Sequence, residues 1–427
     1  MSNVLFAVFI VAASAFFYLF TRGPYKFSPL WLMLAAWSAS IGISRLALSP
    51  LEKPWTAEFW FLIMISLISF AAGFFIFARV FKKFPFWRRL AVLQKSEVSI
   101  KKLRIVIYIL FGVSLVALYM FYVRAGNFPL LAEDPDVFRF EADEKVPGLI
   151  NYTAQFARIF IPLSFFVMFQ QKFSLKKHWD LVLLSILGAT VLTLYASRTQ
   201  IFFVDLWVMA LYLFIRKPNW RQALKFYPIF LIISVAVLAA VPLVRQYKSY
   251  GEGYLAGVTG IDSSSLPGGA KYLLPIYVGV AFNQQALLHA QMYYETHPSR
   301  IQMGRVTLDP FTNILGLEQF KSQFDLGDIF YSWWNTGTYL FPFVQDFGNA
   351  AFWFVPLIIA GVLTMLWRYW QDKPNYLSLN YYAYACFFIV MTVYLSFTVR
   401  AEMYIDIFLI FVTYLFVSQN RPILSKE

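Results

Sequence analysis

The sequence predicts an all-α polytopic membrane protein. Three observations carry that prediction: a composition too apolar for a soluble particle, apolar runs of membrane-spanning length, and basic residues gathered in alternate connectors. Of 427 residues, 59% are hydrophobic, 20% aromatic and only 14% charged, against roughly a quarter charged in ordinary globular domains. Mean hydropathy is +0.60. Too little polar surface exists to clothe several soluble domains, so residues 1–427 read as a single membrane domain with the bilayer as solvent.

A helix needs about 20 mostly apolar residues to cross the hydrocarbon. The chain offers about eleven such runs, near 3–21, 29–49, 57–81, 104–123, 152–170, 179–196, 201–215, 226–244, 337–367, 379–399 and 403–418. Backbone groups in hydrocarbon must pair within their own segment, which selects helices. A β-barrel would show alternating stretches instead. The first run has no basic region before it and meets Arg22 at its end, so it reads as a retained helix, not a cleaved signal.

Orientation follows from the basic connectors. Lys82, Lys83, Arg88, Arg89, Lys95, Lys101, Lys102 and Arg104 share one connector. Lys172, Lys176 and Lys177 share a second, and Arg216, Lys217, Arg221 and Lys225 a third. With eleven helices these fall on one side together with Arg22, Arg368 and the tail. That side is assigned to the cytoplasm, which puts the N-terminus outside and the C-terminus inside. The opposite side receives Glu133, Asp134, Asp136, Glu141, Asp143 and Glu144. The net charge of +13 is thus mostly a topological signal rather than a nucleic-acid footprint.

Two outer segments are long. Residues 124–150 form an acidic loop. Residues 245–335 form a large extracytoplasmic loop before the last three helices. Within it, 249–269 is Gly/Ser-rich and reads as mobile; 272–295 reads as an interfacial or re-entrant helix; 311–324 reads as a second helical stretch. Trp333, Trp334 and Tyr339 read as an aromatic belt where the chain returns to the membrane. A loop of that length usually carries function.

No internal repeat is visible, which argues against the commonest secondary transporters. The single cysteine, Cys386, excludes an intrachain disulfide and a cysteine-based metal site. No phosphate-binding loop, dinucleotide fingerprint, nucleophile elbow or zinc motif occurs, so no cofactor and no metal is expected.

The outer face is rich in arginine: Arg45, Arg124, Arg139, Arg198, Arg245, Arg300, Arg305 and Arg400. A guanidinium presents a planar fork that binds phosphate bidentately and is weakly hydrated. Such a set suits the phosphate or diphosphate of a membrane-embedded lipid. The plainer reading of any one arginine is a carboxylate partner or an outer headgroup. Arg158 lies inside a span, where an ionisable residue signals function by default. Asp205, Asp346 and Asp406 are acidic residues within spans; Asp406 and Asp205 lie about two turns past Arg400 and Arg198. Of three histidines, His178 follows a cytoplasmic connector and reads as inert. His289 and His297 lie in the large outer loop, where either can serve as a general base.

These residues resemble a known family. Gly126-Asn127-Phe128-Pro129-Leu130-Leu131, followed by acids and Arg139, is similar to the Gly-x-Pro-Leu-Leu loop of oligosaccharide repeat-unit polymerases, with one extra residue before the proline. Ser197-Arg198-Thr199 resembles their Ser-Arg turn between spans. Asn335-Thr336-Gly337-Thr338, then Asp346-Phe347-Gly348 and Gly361, resembles their signature entering a late helix. The order of these elements covers most of the chain. The resemblance to this O-antigen polymerase-like family implies a glycosyltransferase in the bacterial plasma membrane that uses a polyprenyl-diphosphate-linked sugar donor. A sugar hydroxyl of one repeat unit attacks the anomeric carbon of the growing chain, and polyprenyl diphosphate leaves. It also implies a flippase and a chain-length regulator of the same pathway as partners.

Arg198, Arg245 and Arg158 are the expected diphosphate ligands, with Arg139, Arg300, Arg305 and Arg400 behind them. Asn335, Thr338 and Asp346 are expected at the substrate, though Asp346 also reads as a brace for Asn335 or Thr338, or as a cap at a helix break. The base is His289, His297 or a carboxylate such as Glu133, Asp134 or Asp136. Two alternatives stand beside the polymerase. One is an O-antigen ligase, which uses a histidine in its large loop. The other is a transporter or flippase of a lipid-linked saccharide, for which the outer cations would be a docking surface.

Overall fold

The computed structural model describes residues 5–6, 8–13, 27–90, 93, 97–195, 198–218, 232, 244, 250–251, 253–262, 270–315, 317, 329–331, 334 and 336–419. Among them run fifteen α-helices. In chain order they are α1 (Pro29–Ser44), α2 (Ala57–Lys83), α3 (Ile100–Ala125), α4 (Pro135–Lys145), α5 (Gly148–Ala154), α6 (Ala157–Gln170), α7 (Leu175–Leu194) and α8 (Arg198–Arg216). There follow α9 (Tyr254–Thr259), α10 (Leu274–Thr296), α11 (Arg305–Leu315), α12 (Phe341–Phe347), α13 (Ala351–Asp372), α14 (Tyr376–Met391) and α15 (Ala401–Val417). The described strand content is one antiparallel pair, β1 (Glu97–Val98) with β2 (Ser418–Gln419).

Six segments are long and apolar enough to cross a membrane: Ala57–Arg88, Ile100–Ala125, Gly148–Gln170, Leu175–Leu194, Thr199–Arg216 and Phe341–Asp372. α1 and α14 are shorter apolar helices. Large apolar side chains stand exposed on them, such as Phe61, Ile68 and Phe75 on α2 and Ile109 and Val116 on α3. Hydrocarbon is the solvent that tolerates such surfaces. The chain is an all-α, multi-pass membrane protein. The expected runs at 3–21 and 226–244 fall largely outside the described residues.

The chain divides into two compact units where the sequence read as one domain. The first comprises Met1–Gln94, Tyr277–Pro374 and Tyr384–Ile407. Its backbone is the pair α2–α13, in which glycines let the two helices close on each other. A Cβ on Gly73 would sit 2.9 Å from the Leu357 carbonyl oxygen, and one on Gly361 would sit 2.9 Å from the Phe77 ring. Phe74 packs on Trp367 with ring centres 5.3 Å apart, and Phe59 meets Phe352 edge-on.

The second unit comprises Lys95–Ile276, Asn375–Ala383 and Phe408–Glu427. Gly188 of α7 lies against Phe160 of α6, whose ring is 2.8 Å from where a Cβ would stand. The acidic loop is helical rather than irregular. Asp134 caps it by accepting the Val137 N–H at 3.1 Å, and Pro135 fills the first helical position, where its missing N–H costs nothing. α4 then turns Ala142 and Val146 into a core with Phe121, Ala154, Val191 and Tyr195. Arg104 of α3 pairs with Asp180 of α7 at 3.5 Å and donates to the Lys177 carbonyl at 2.9 Å.

Several expected segments differ. The run 379–399 stops as a helix at Met391, because the Thr392 carbonyl accepts the Tyr339 N–H at 2.8 Å and the Tyr394 carbonyl accepts from the Asn283 side chain at 2.7 Å. Those tertiary partners replace helical ones. The run 337–367 begins only at Phe341 and is interrupted at Gly348, whose φ of 58° and ψ of −147° are open essentially to glycine alone. Part of 249–269, expected to be mobile, forms α9. Residues 272–295 do form a helix, α10. It is enclosed through most of its length, however, whereas an interfacial helix would leave an apolar face for lipid. Arg305–Leu315 is helical, starting earlier than the expected 311–324, whose end lies outside the described residues.

Candidate functional site

The polar centre of the first unit is built on α10. Asn283, Gln284 and Gln285 are consecutive amides, each essentially fully buried. Buried amides are stable only when bonded. Asn283 accepts from Trp334 Nε1 at 3.1 Å and Thr336 Oγ1 at 2.9 Å, so it clamps the segment leading into α12. Gln284 donates to Ser40 Oγ of α1 at 2.9 Å. Gln285 makes a two-way clasp with the Lys53 main chain: the Lys53 N–H donates to its Oε1 at 3.0 Å, and its Nε2 donates to the Lys53 carbonyl at 2.9 Å.

Tyr277 and His289 lie eight residues before and four after Gln285, and both turn toward the same segment between α1 and α2. The Tyr277 hydroxyl donates to Glu52 and accepts the Leu48 N–H at 2.8 Å. Glu52 also accepts the Ser49 N–H at 3.0 Å. Burial pushes the Glu52 carboxyl above the usual range, against the lowering effects of Tyr277, Ser49 and the nearby Arg45 charge. Arg45 itself lies over Trp60 and Trp55, at 5.8 and 6.0 Å from their ring centres.

His289 is half-buried, edge-on to Phe330 with ring centres 4.9 Å apart. Burial first, and the charge of Lys53 second, push its pKa down to about 4, opposed by a hydrogen bond donated to the Ile329 carbonyl. Its Nε2 is buried with no partner. With the proton held on Nδ1 by Ile329, the imidazole is neutral at pH 7 and its lone pair on Nε2 is free. That is the electronic state a general base requires. His297, the other candidate, is exposed, and its Nδ1 is taken up by Thr296 at 2.9 Å and Tyr293 at 3.1 Å. His178 is fully buried and braces its own turn through Ser174 and Gln171.

A second cluster gathers expected residues of the same unit. Both Asp346 carboxylate oxygens are occupied by backbone donors, Val306 N–H at 3.1 Å and Thr307 N–H at 2.8 Å. The Met303 N–H reaches the Asp346 carbonyl at 3.2 Å. Asp346 is fully buried and caps α11. Its side chain thus caps α11 rather than the break at Gly348, one acceptor site on each carboxylate oxygen being taken by a backbone donor. The cap draws the 297–305 segment onto the break at Gly348, and Phe311 of α11 packs on Tyr404 beside the Arg400 segment. His297, Arg300, Arg305 and Arg400 are all exposed there.

Thr338 is enclosed completely, its Oγ1 buried with no hydrogen-bond partner. Tyr339 is likewise buried, edge-on to Trp37, and Trp334 is bonded inward. Tyr339 is thus a core residue rather than part of a membrane belt, Trp334 is half-buried, and Trp333 lies outside the described residues. Asp406 is buried with Tyr384 donating to it at 3.3 Å, while Arg400 is exposed.

In the second unit Arg158 is 1% exposed. It stands in the first turn of α6, just past a break at Gln155, rather than a third of the way along a continuous helix. It is engaged with other groups, as a buried guanidinium must be. Arg139 is half-buried on α4 and also engaged. Arg198 opens α8. Ser197, Arg245 and Asn335 lie outside the described residues. Sequence reasoning missed Glu52, Tyr277 and the amide run. Three consecutive amides inside an apolar stretch were the available signal; nothing local marks Glu52.

No protein-family model, curated protein or solved structure matches the chain.

Proposed function

We propose that this chain is a glycosyltransferase of the bacterial plasma membrane that polymerises polyprenyl-diphosphate-linked oligosaccharide repeat units into a surface polysaccharide. The proposed topology has about eleven spans, with the N-terminus outside, the C-terminus cytoplasmic and His289 in the large outer loop. The observation that carries the proposal is the neutral His289, its Nε2 lone pair unspent and buried. It supplies a base for the one proton that the reaction must move. The sugar hydroxyl of the incoming unit loses its proton to Nε2 as its oxygen bonds to the anomeric carbon. The bond from that carbon to the diphosphate breaks, and its electron pair leaves with polyprenyl diphosphate. Charge grows on the departing diphosphate, and arginines stabilise it. Arg158, Arg198 and Arg245 are proposed for that role from the resemblance and their sequence positions.

The same histidine favours a second reading, an O-antigen ligase, because a loop histidine is what the resemblance implies for that relative. The acceptor separates the two. Purified protein in liposomes is given a lipid-linked repeat unit from its own cell, with and without lipid A core, and products are resolved by size. A ladder of multiples without lipid A core, falling about 100-fold or more in His289→Ala and sharply in Arg198→Ala, is the expected result. Transfer only onto lipid A core would replace polymerisation by ligation. Neither product would overturn both readings, and transport of the lipid would be measured next.

A further inference from the structure

α11 turns an apolar stripe outward and a hydroxyl inward. Arg305, Leu308 and Phe311, at intervals of three, are exposed along one side of the helix, while Pro310 and Thr312 are buried. The Thr312 hydroxyl is bonded inward, to the Asp309 carbonyl at 3.0 Å. Leu308 is 55% exposed, and Met303, in the turn before the helix, is 80% exposed, the most of any large apolar side chain among the described residues. Met303 is held in that position. Its φ of 50° lies in the left-handed region, which costs energy for a residue with a side chain. Two backbone bonds fix it there: the Met303 N–H donates to the Asp346 carbonyl at 3.2 Å, and the Gln302 N–H to the Gln345 carbonyl at 3.0 Å. A fixed apolar surface of this kind needs something to cover it.

The level of α11 in the fold says what does. Its cap, Asp346, belongs to the start of the span Phe341–Asp372. Asn349 of the same span donates to Glu58 at 3.2 Å, in the first turn of the span that opens at Ala57. Two spans therefore begin beside α11. Trp353 and Phe61, in the opening turns of those spans, are exposed, and exposed tryptophan is typical of the membrane–water boundary. Three exposed cations stand at the same level: Arg300 and Arg305 flank Met303, and Arg400 lies beside Tyr404, on which Phe311 packs. Among the described residues none of the three is in a salt bridge. Asp309 and Glu402, the acids on the same elements, are half-buried, and Asp309 is engaged elsewhere.

We propose that α11 and the turn before it form a docking surface for the phospholipids of the leaflet at that end of the spans. Met303, Leu308 and Phe311 enter the boundary between headgroups and acyl chains, as the apolar side of an interfacial helix does. Arg300, Arg305 and Arg400 take lipid phosphates, which a guanidinium binds with two parallel bonds. The interfacial role expected of residues 272–295 thus passes to α11. Because Asp346 ties α11 to the break at Gly348, the bilayer surface holds that break at a fixed depth.

The test uses the full chain in lipid nanodiscs, with Cys386→Ala as background and a nitroxide placed at Leu308→Cys or Met303→Cys. Collisions of the nitroxide with oxygen, which concentrates in hydrocarbon, are compared with those of a water-soluble nickel chelate. Ile68→Cys on α2 is the lipid-facing reference and Glu144→Cys on α4 the water-facing one, both being exposed. The expected oxygen-to-nickel ratio at 303 and 308 lies well above that of Glu144→Cys, at a depth of about 5–10 Å. The two sites are independent, so either suffices if the other variant fails to fold. A ratio equal to that of Glu144→Cys would overturn the docking surface. Low collision rates with both reagents would also overturn it, because the face would then be covered by protein, a second copy or a partner. Replacing part of the zwitterionic lipid by an anionic one should draw the label at 308 deeper, and Arg300→Gln with Arg305→Gln should abolish that response. An equal response with and without the two arginines would overturn the phosphate contacts.

Discussion

His289 makes stability depend on pH with a sign that can be worked out. Its pKa is depressed to about 4 in the folded chain, against about 6.5 when unfolded. Between those values the unfolded chain binds more protons than the folded one, so stability rises with pH across the window and is complete above about 6.5. A shift of this size corresponds to at most about 3.4 kcal/mol. The ring is only half-buried, and screening by solvent reduces this to about 1–2 kcal/mol. Glu52 works in the opposite direction. Its raised carboxyl favours the folded state at low pH, and that contribution is lost as pH rises through its folded value. The parent curve alone therefore mixes two signs. His289→Gln isolates the histidine, since it leaves Glu52 in place and cannot titrate. Unfolding midpoints followed by tryptophan fluorescence from about pH 4 to 7.5 should fall more steeply toward acid in the parent than in the variant. The difference between the two curves should be confined to the stated window. Equal pH slopes in the two proteins would mean that the imidazole is not held neutral, and the base assignment would lose its physical ground.

Asp346→Ala should destabilise the chain by about 1–2 kcal/mol, the usual cost of losing a helix cap, and should expose the 297–315 segment to limited proteolysis. Loss of polymer synthesis with an unchanged midpoint and unchanged proteolysis would instead return Asp346 to the substrate. Gly73→Ala should lower the unfolding midpoint, with a cost of about 1–3 kcal/mol from overpacking, because the new methyl meets a backbone oxygen at 2.9 Å. Gly112→Ala on α3 has no atom within 4 Å of the added Cβ. It should be neutral or gain up to about 1 kcal/mol from helix propensity, so equal losses in both variants would contradict the packing described.

The membrane class was legible because composition and apolar run length act locally and independently of tertiary contacts. Helix ends were less so. Residues 379–399 form one apolar run in which no proline or glycine marks a break; α14 stops because Thr392 and Tyr394 lend their carbonyls to Tyr339 and Asn283. By contrast, the start of α4 was written in Asp134-Pro135, a cap followed by a proline, and was read only as an acidic loop. His289 was legible as a candidate, but its distinction from His297 was not, since it depends on Ile329, Phe330 and Lys53 being folded around it. The Glu52–Tyr277 bond joins residues 225 apart, and no local pattern announces such a pair. The arginines were visible as a set. Yet composition could not separate Arg158, which is enclosed, from Arg300, Arg305 and Arg400, which are exposed.

The same contacts that lower the pKa of His289 suggest how its base strength would be set in use. A base with a pKa of about 4 is always unprotonated at neutral pH, but it is a weak proton acceptor. Two causes depress it, burial and the Lys53 charge. The Lys53 contribution is one that a substrate can reverse, because a polyanionic diphosphate brought near that ammonium neutralises its field. The proposed donor would thus raise the affinity of Nε2 for a proton as it binds, strengthening the base only when there is a hydroxyl to deprotonate. A substrate without phosphate would lack this effect. Gln285 fixes the geometry on which the argument depends, since its two bonds hold the Lys53 main chain against the turn of α10 that precedes His289. The amide run is then not filler in an apolar helix. It keeps a cation beside a base whose proton affinity burial already depresses, and so adds the part of that depression a bound anion can remove.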